Sequence, residues 1–225
     1  MDQTFPTFPP AARRVLGALA GFEPSWSLSG RAALWWWLPS VPVPIGQLDF
    51  IWHGPDGLGE LPGKVVRTLA SSDLDVATLY GDSRRLWLGA RHGESACLLS
   101  LAAEPAPVLE APGETRLAGV AVTVDALREV IAVTLGSLYE RPGLQDLESL
   151  GLLLRNGYSL DQGLVDACGR NPGLVPQDFA LRLARFVVED PELSEITLAR
   201  LRRYQERVVF QILASSIHFR ASRAS

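Results

Sequence analysis

The chain has 225 residues, 47% of them hydrophobic and 20% charged, with 21 Lys and Arg against 25 Asp and Glu and a formal net charge of −4. Against a typical domain of roughly 100–200 residues, that length accommodates one domain with an appendage or two small domains. The acidic balance excludes an indiscriminate nucleic-acid coat, which needs Lys and Arg to neutralise phosphates, and no window approaches the ~18 consecutive apolar residues of a membrane-spanning helix. The opening "MDQTFPTFPP" starts with an acid and has no basic segment before an apolar run, so a cytoplasmic rather than a secreted protein is expected. Cys97 and Cys168 lack CxxC partners and nearby histidines, which makes them free, buried thiols rather than disulfide or zinc ligands. Lys64 is the only lysine, and the remaining basic residues are arginines, which leaves a local basic groove open.

In chain order, "AARRVLGALAGF" is predicted as a helix, followed by the small-residue turn "SLSGR" and a helix carrying Trp35, Trp36 and Trp37. "QLDFIW" reads as a strand and "LGELPGKVVRTLAS" as a helix. "LDVATLY", "RRLWLGAR" and "SACLLSLA" are strand-like runs at hairpin distances, predicting an antiparallel meander or a mixed sheet. "EPAPVLEAPGET" reads as a loop before the short strand "AGVAV". From about residue 122 the character changes. "TVDALREVIAVTLGSLYE" is predicted as a helix capped by Thr123, and "GLQDLESLGLLLRNG" as one ending at Asn156-Gly157. "SLDQGLVDACG", "VPQDFALRLARFVV" and "SEITLARLRRYQERVVFQILASSI" complete a helical half. The expected class is α+β, with a mixed-sheet domain over residues 1–122 followed by a helical domain over 123–225.

Four pieces, "SGRAAL", "QLDFIWHG", "SACLLSLAAEPAP" and "TLGSLYERPGLQDLESLGLLLRNG", follow one another between about residues 25 and 190. Their order and spacing resemble the nucleotidyltransferase-like AbiEii/AbiGii toxin family of toxin–antitoxin systems. Members of that family carry a "GGTAL" helix start, a "DxD" strand, a strand with another aspartate, and a helical "K…R…RD..DL" segment. The resemblance implies a nucleotidyltransferase-like mixed sheet and an in-line attack on a nucleoside triphosphate. Two Mg²⁺ ions commonly neutralise the phosphates and stabilise the leaving pyrophosphate in such a reaction. Two aspartates at i and i+2 on a strand put both carboxylates on one face, and a third from a neighbouring strand closes the cage. A small-residue helix start offers backbone N–H groups to phosphate oxygens.

Measured against that resemblance, the departures outweigh the matches. Gln47 stands where the first aspartate is expected and only Asp49 remains; Ser100 falls at the third acid, Thr134 at the lysine, and Gln145 and Ser149 at two of the "R…RD..D" positions. Asp49 and Asp146 are thus the expected catalytic remnants, with Asp49 the one metal-ligating carboxylate. Gly30, Arg31 and Arg141 are the expected nucleotide-binding positions, Arg31 having replaced the second glycine. No cofactor is expected in a protein so altered; Mg²⁺ and a nucleoside triphosphate belong to it only if it is active. The implied partners are RNA or a nucleotide, an antitoxin-like protein, and a second copy of the chain, with no membrane.

Blander readings stand beside these. Asp49 as readily caps a turn or meets Arg141, Arg31 as readily points to solvent, and His53 has only His92 and His218 as company, too few for a histidine cluster. The three tryptophans span enough of a helix that at least one is expected against the sheet. On the last helix, Leu198, Leu201, Tyr204 or Gln205, Val208 and Ile212 recur at helical spacing, while Arg200, Arg203 and Arg207 gather on another face and Arg220 and Arg223 extend the bias. Three function classes follow: a catalytically impaired binding or regulatory protein, an active transferase moving a nucleotide to an RNA 3′ end, tRNA being what the resemblance implies, and an interaction module.

Overall fold

The structure is a computed structural model that describes residues 8–20, 22, 26–38, 46–53, 57–104 and 108–223, with the backbone only from 216 onward. It divides into two compact units, 1–130 and 131–225.

The first unit is built on a seven-stranded mixed sheet. In chain order it contains α1 (Pro10–Leu19), β1 (Ser27–Ser29), α2 (Gly30–Trp37), β2 (Gln47–Trp52), α3 (Leu61–Ala70), β3 (Asp75–Gly81), β4 (Arg85–His92), β5 (Ser95–Ala103), β6 (Gly113–Leu117) and β7 (Val120–Val124). The strand order is β3-β4-β5-β2-β1-β7-β6. β3, β4 and β5 form the expected antiparallel meander. β5 then lies parallel to β2, β2 antiparallel to β1, and β1 parallel to β7.

Alternation along the strands sorts the side chains into two faces. Leu48 and Phe50 of β2, Leu99 and Leu101 of β5, Leu28 of β1 and Val124 of β7 are all buried, and α1 packs against β4, β5 and β7 through its apolar stripe Ala12, Val15, Leu16 and Leu19. α1 begins with Pro10, whose missing N–H costs nothing at a helix start.

Three local expectations are corrected. "SLS" is not part of a turn but the interior strand β1, lying between β2 and β7. Residues 113–115, read as the end of a loop, belong to the edge strand β6 (Gly113–Leu117), paired to β7. Thr123 does not cap a helix: it lies within β7, and α4 (Leu127–Glu140) starts after Asp125 and Ala126.

The second unit is helical: the remainder of α4, then α5 (Leu144–Arg155), α6 (Leu160–Arg170), α7 (Pro176–Arg185) and α8 (Glu195–Arg223). Phe179 sits at its centre among Leu135, Leu164, Leu183, Val208 and Ile212. Gln205 occupies a buried position on the apolar stripe of α8 because its amide donates to the carbonyls of Leu183 (2.5 Å) and Phe186 (2.6 Å) at the end of α7. The Leu183 carbonyl also accepts the Phe186 N–H at 3.2 Å and Phe186 is the C-cap residue, so a buried polar side chain is satisfied while it reinforces a helix terminus. Arg203 and Arg207 are exposed, and Arg200 pairs with Glu148 at 3.3 Å. The side chains of His218, Arg220 and Arg223 lie outside the described residues.

Candidate functional site

Ser29, Asp49 and Ser100 are successive register partners across β1, β2 and β5. They therefore share one face of the sheet, opposite the face of Leu48 and Phe50. Gln47, two residues before Asp49, stands on that same face, and its amide Nε2 donates to Asp49 Oδ1 at 2.5 Å. Gly30 follows Ser29 directly and starts α2 with φ of +57°. A Cβ at this position would lie 2.5 Å from Asp49 Oδ2. The position demands glycine twice, for its left-handed backbone and for the carboxylate held against it.

The charge on Asp49 is felt beneath it. Cys97 of β5 is buried, and burial first, then the Asp49 carboxylate, push its thiol up to about 12. Cys97 and Cys168 are both free cysteines, Cys168 only half-buried.

The donor set of this row is one carboxylate, one amide and two hydroxyls, those of Ser29 and Ser100. An amide or hydroxyl oxygen can ligate Mg²⁺, but neither brings the negative charge that two divalent ions and a triphosphate require. Among the described residues no group of three or more His, Cys, Asp and Glu side chains is placed to hold a metal ion. Of the described residues in this row, Asp49 alone brings the carboxylate charge that such a metal pair would need.

Sequence reasoning missed Asp125. It lies just past β7, fully buried, and its backbone N–H donates to Leu28 O at 2.9 Å. Its Oδ1 meets His53 Nε2 at 3.1 Å, and its carbonyl accepts the indole N–H of Trp37 at 2.9 Å. One residue thus fastens β1, the chain beyond β2 and the end of α2, the helix that Gly30 begins. His53 is accordingly tied into a structural pair instead of a metal cluster, and His92 contacts Asp73. The signal available in the sequence was an acid directly after the apolar alternation "VAVTV". Of the three tryptophans, Trp35 is buried, Trp36 half-buried and Trp37 exposed.

In the second unit, Thr134 is buried within α4, Asp146 lies in the first turn of α5, and Arg141 is exposed just past α4, its backbone N–H donating to Ser137 O. Ser149 returns its hydroxyl to the Gln145 carbonyl of its own helix at 2.9 Å, a role internal to α5.

No protein-family profile matches the chain, and no curated protein sequence does. Solved structures do. The MenT4 nucleotidyltransferase toxin of Mycobacterium tuberculosis aligns with a TM-score of 0.56 at 14% identity, covering 90% of this chain and 88% of that one. A structure from H. pylori provisionally described as a nucleotidyltransferase aligns with a TM-score of 0.52 at 15% identity, covering 90% and 93%. ANT(2″)-Ia in complex with adenylyl-2″-tobramycin aligns with a TM-score of 0.52 at 16% identity, covering 72% and 96%. No helix among the described residues is long and apolar enough to cross a membrane. The seven-stranded mixed sheet, its Gly30–Asp49 corner and these alignments establish an α+β, nucleotidyltransferase-like fold.

Proposed function

We propose that this chain is a catalytically impaired nucleotidyltransferase-fold protein, a binding or regulatory member of a cytoplasmic toxin–antitoxin-like system. The observation that carries the proposal is the row Gln47, Asp49, Ser100. The glycine corner against Asp49 is kept, while the flanking positions are neutral and Gln47 spends its amide on the remaining carboxylate. The similarity to a nucleotidyltransferase toxin supports the fold on which this reading is built. In this reading Gly30 and Arg31 of the first unit meet phosphate oxygens of a nucleotide or RNA, and Asp49 is a remnant. Two-metal chemistry is lost because the missing groups act as a unit, so replacing several together costs many orders of magnitude in rate.

The test is incubation of the purified protein with labelled nucleoside triphosphates, total RNA and Mg²⁺ or Mn²⁺, alongside calorimetric titration with nucleotide and with RNA. Binding of nucleotide or RNA without incorporation supports the proposal. Incorporation abolished by Asp49→Ala would refute it in favour of an active transferase with substituted ligands. Neither binding nor incorporation would leave an interaction module with an antitoxin-like partner or a second copy.

A further inference from the structure

β3 ends the sheet, with β4 on one side and no strand beyond it among the described residues. Which of its backbone groups face outward follows from one hydrogen bond. Leu98 donates its N–H to Gly46 O, on the β2 side of β5, and successive residues of a strand direct their backbone groups to opposite sides in the sheet plane, so Leu99 and Leu101 face β4. Their register partners Leu88 and Leu86 answer from β4, which leaves Trp87, Gly89 and Arg91 facing β3. Ala77 and Asp75 pair with Gly89 and Arg91. Val76 and Thr78 therefore direct N–H and C=O to the open edge. After Thr78 a bulge shifts the register, and Asp82 donates its N–H to Arg85 O, so Tyr80, two residues earlier, faces β4 and the outward alternation is interrupted.

From Val76 to Gly81 this edge carries neither charge nor proline, whereas natural edge strands are commonly guarded by Lys, Pro or inward-pointing charges. Leu79 and Tyr80 are 59% and 49% exposed. The bulge, itself a device that limits edges, confines pairing to the stretch from Val76 to Thr78. We propose that β3 pairs antiparallel with β3 of a second copy of this chain, centred on Ala77, so that the sheet continues across a twofold axis. In that register Val76 of each copy faces Thr78 of the other, and each such pair exchanges both N–H···O bonds. Ala77 faces its own equivalent in the closer, non-hydrogen-bonded type of pair, where a methyl fits. The ends of the strand favour a second copy over an unrelated strand. Asp73 and Asp75 are exposed at one end of β3, and Arg84 and Arg85 are exposed in the turn at the other. Asp82 in that turn accepts from the Tyr80 hydroxyl and from the backbone N–H groups of Arg84 and Arg85. Antiparallel pairing lays the arginine turn of each copy alongside the aspartates of the other, and the symmetry repeats the match. The contact is small against a standard interface of about 1,600 Å², so a weak, concentration-dependent dimer is expected. It is independent of the proposed function, because β3 lies three places from β2 in the sheet and uses none of Gly30, Asp49 or Ser100.

Sedimentation equilibrium of the full-length protein at concentrations up to ~1 mM measures the association. A monomer–dimer equilibrium is expected. Thr78→Pro deletes an outward N–H that β4 does not use, a change edge strands tolerate. It removes one bond from each Val76–Thr78 pair and is expected to weaken the dimer by roughly five- to hundredfold. Ala77→Lys and Ala77→Glu each set like charges face to face at the twofold axis and are expected to sediment as monomers. An equimolar mixture of the two is expected to dimerise again, because opposite charges then meet. Circular dichroism checks that each variant is folded; if Thr78→Pro is not, Ala77→Lys and Ala77→Glu decide the question, since Ala77 is exposed. A protein monomeric at every concentration, a dimer unaffected by Ala77→Lys, species larger than a dimer, or a mixture that stays monomeric would overturn the proposal.

Discussion

Gly30 and Asp49 occupy one another's contact shell, and the consequence is measurable at each residue. In Gly30→Ala the new methyl must adopt a left-handed backbone, at about 1–2 kcal/mol, and must also displace a carboxylate oxygen 2.5 Å away. A stability loss of roughly 2–3 kcal/mol in urea denaturation is expected, and Asp49→Ala introduced into that variant should recover part of it, because contacting sites couple. Additive losses would mean that the two side chains do not meet. Cys97 provides a second check. Its folded-state thiol is raised from 9.0 to about 12, so the stabilisation from keeping it protonated is fully present below pH 9. It is lost as pH rises through that window, because the unfolded chain ionises first. Cys97→Ala should flatten the decline of stability between pH 9 and 11 by up to about 1.4 kcal/mol per pH unit, one proton's worth. An unchanged slope would contradict a buried thiol beside the Asp49 charge. Asp49 itself was legible in the sequence, being the lone acid in a strand-like run; Asp125 was not. Nothing in "VTVDAL" says that its acid closes on a histidine 72 residues away.

At the scale of elements, the strands and helices with strong periodicity were readable: the meander β3–β5, α1 and the amphipathic stripe of α8. β1 failed because three residues, two of them serines, carry no alternation long enough to recognise. It is a strand through neighbours on both sides, not through propensity. β6 failed for a related reason, since "GETRL" is an exposed edge sequence in which only Leu117 is buried. Thr123 was misassigned because a cap residue before an apolar run looks the same whether the run begins a helix or ends a strand. The tryptophans of α2 illustrate how burial, not composition, sets energetic weight. Trp35 is 4% exposed and Trp37 40% exposed. Trp35→Ala should therefore cost ~3–5 kcal/mol, whereas Trp37→Ala, which loses mainly the indole hydrogen bond to the Asp125 carbonyl, should cost ~1 kcal/mol. Equal losses in thermal or chemical denaturation would contradict this packing.

At the scale of the molecule, the order of four motif-like pieces pointed to a nucleotidyltransferase-like sheet, and the alignments at 14–16% identity agree on the fold. Gln47, Asp49 and Ser100 were legible as residues of two strands, and the pairing of β2 with β5 brings them onto one face. That Ser100 lies beside Asp49 was not legible, because only register places it there. If the neutral flanks are what removed the metal pair, restoring acids on the same scaffold should bring it back. The most direct measurement is calorimetric titration of Mg²⁺ and Mn²⁺, in the absence of nucleotide, into the native protein and into Gln47→Asp/Ser100→Asp. The account predicts no resolvable metal-dependent heat in the native protein and saturable binding in the double variant, where three carboxylates share one face. Saturable metal binding by the native protein, abolished in Asp49→Ala, would contradict it.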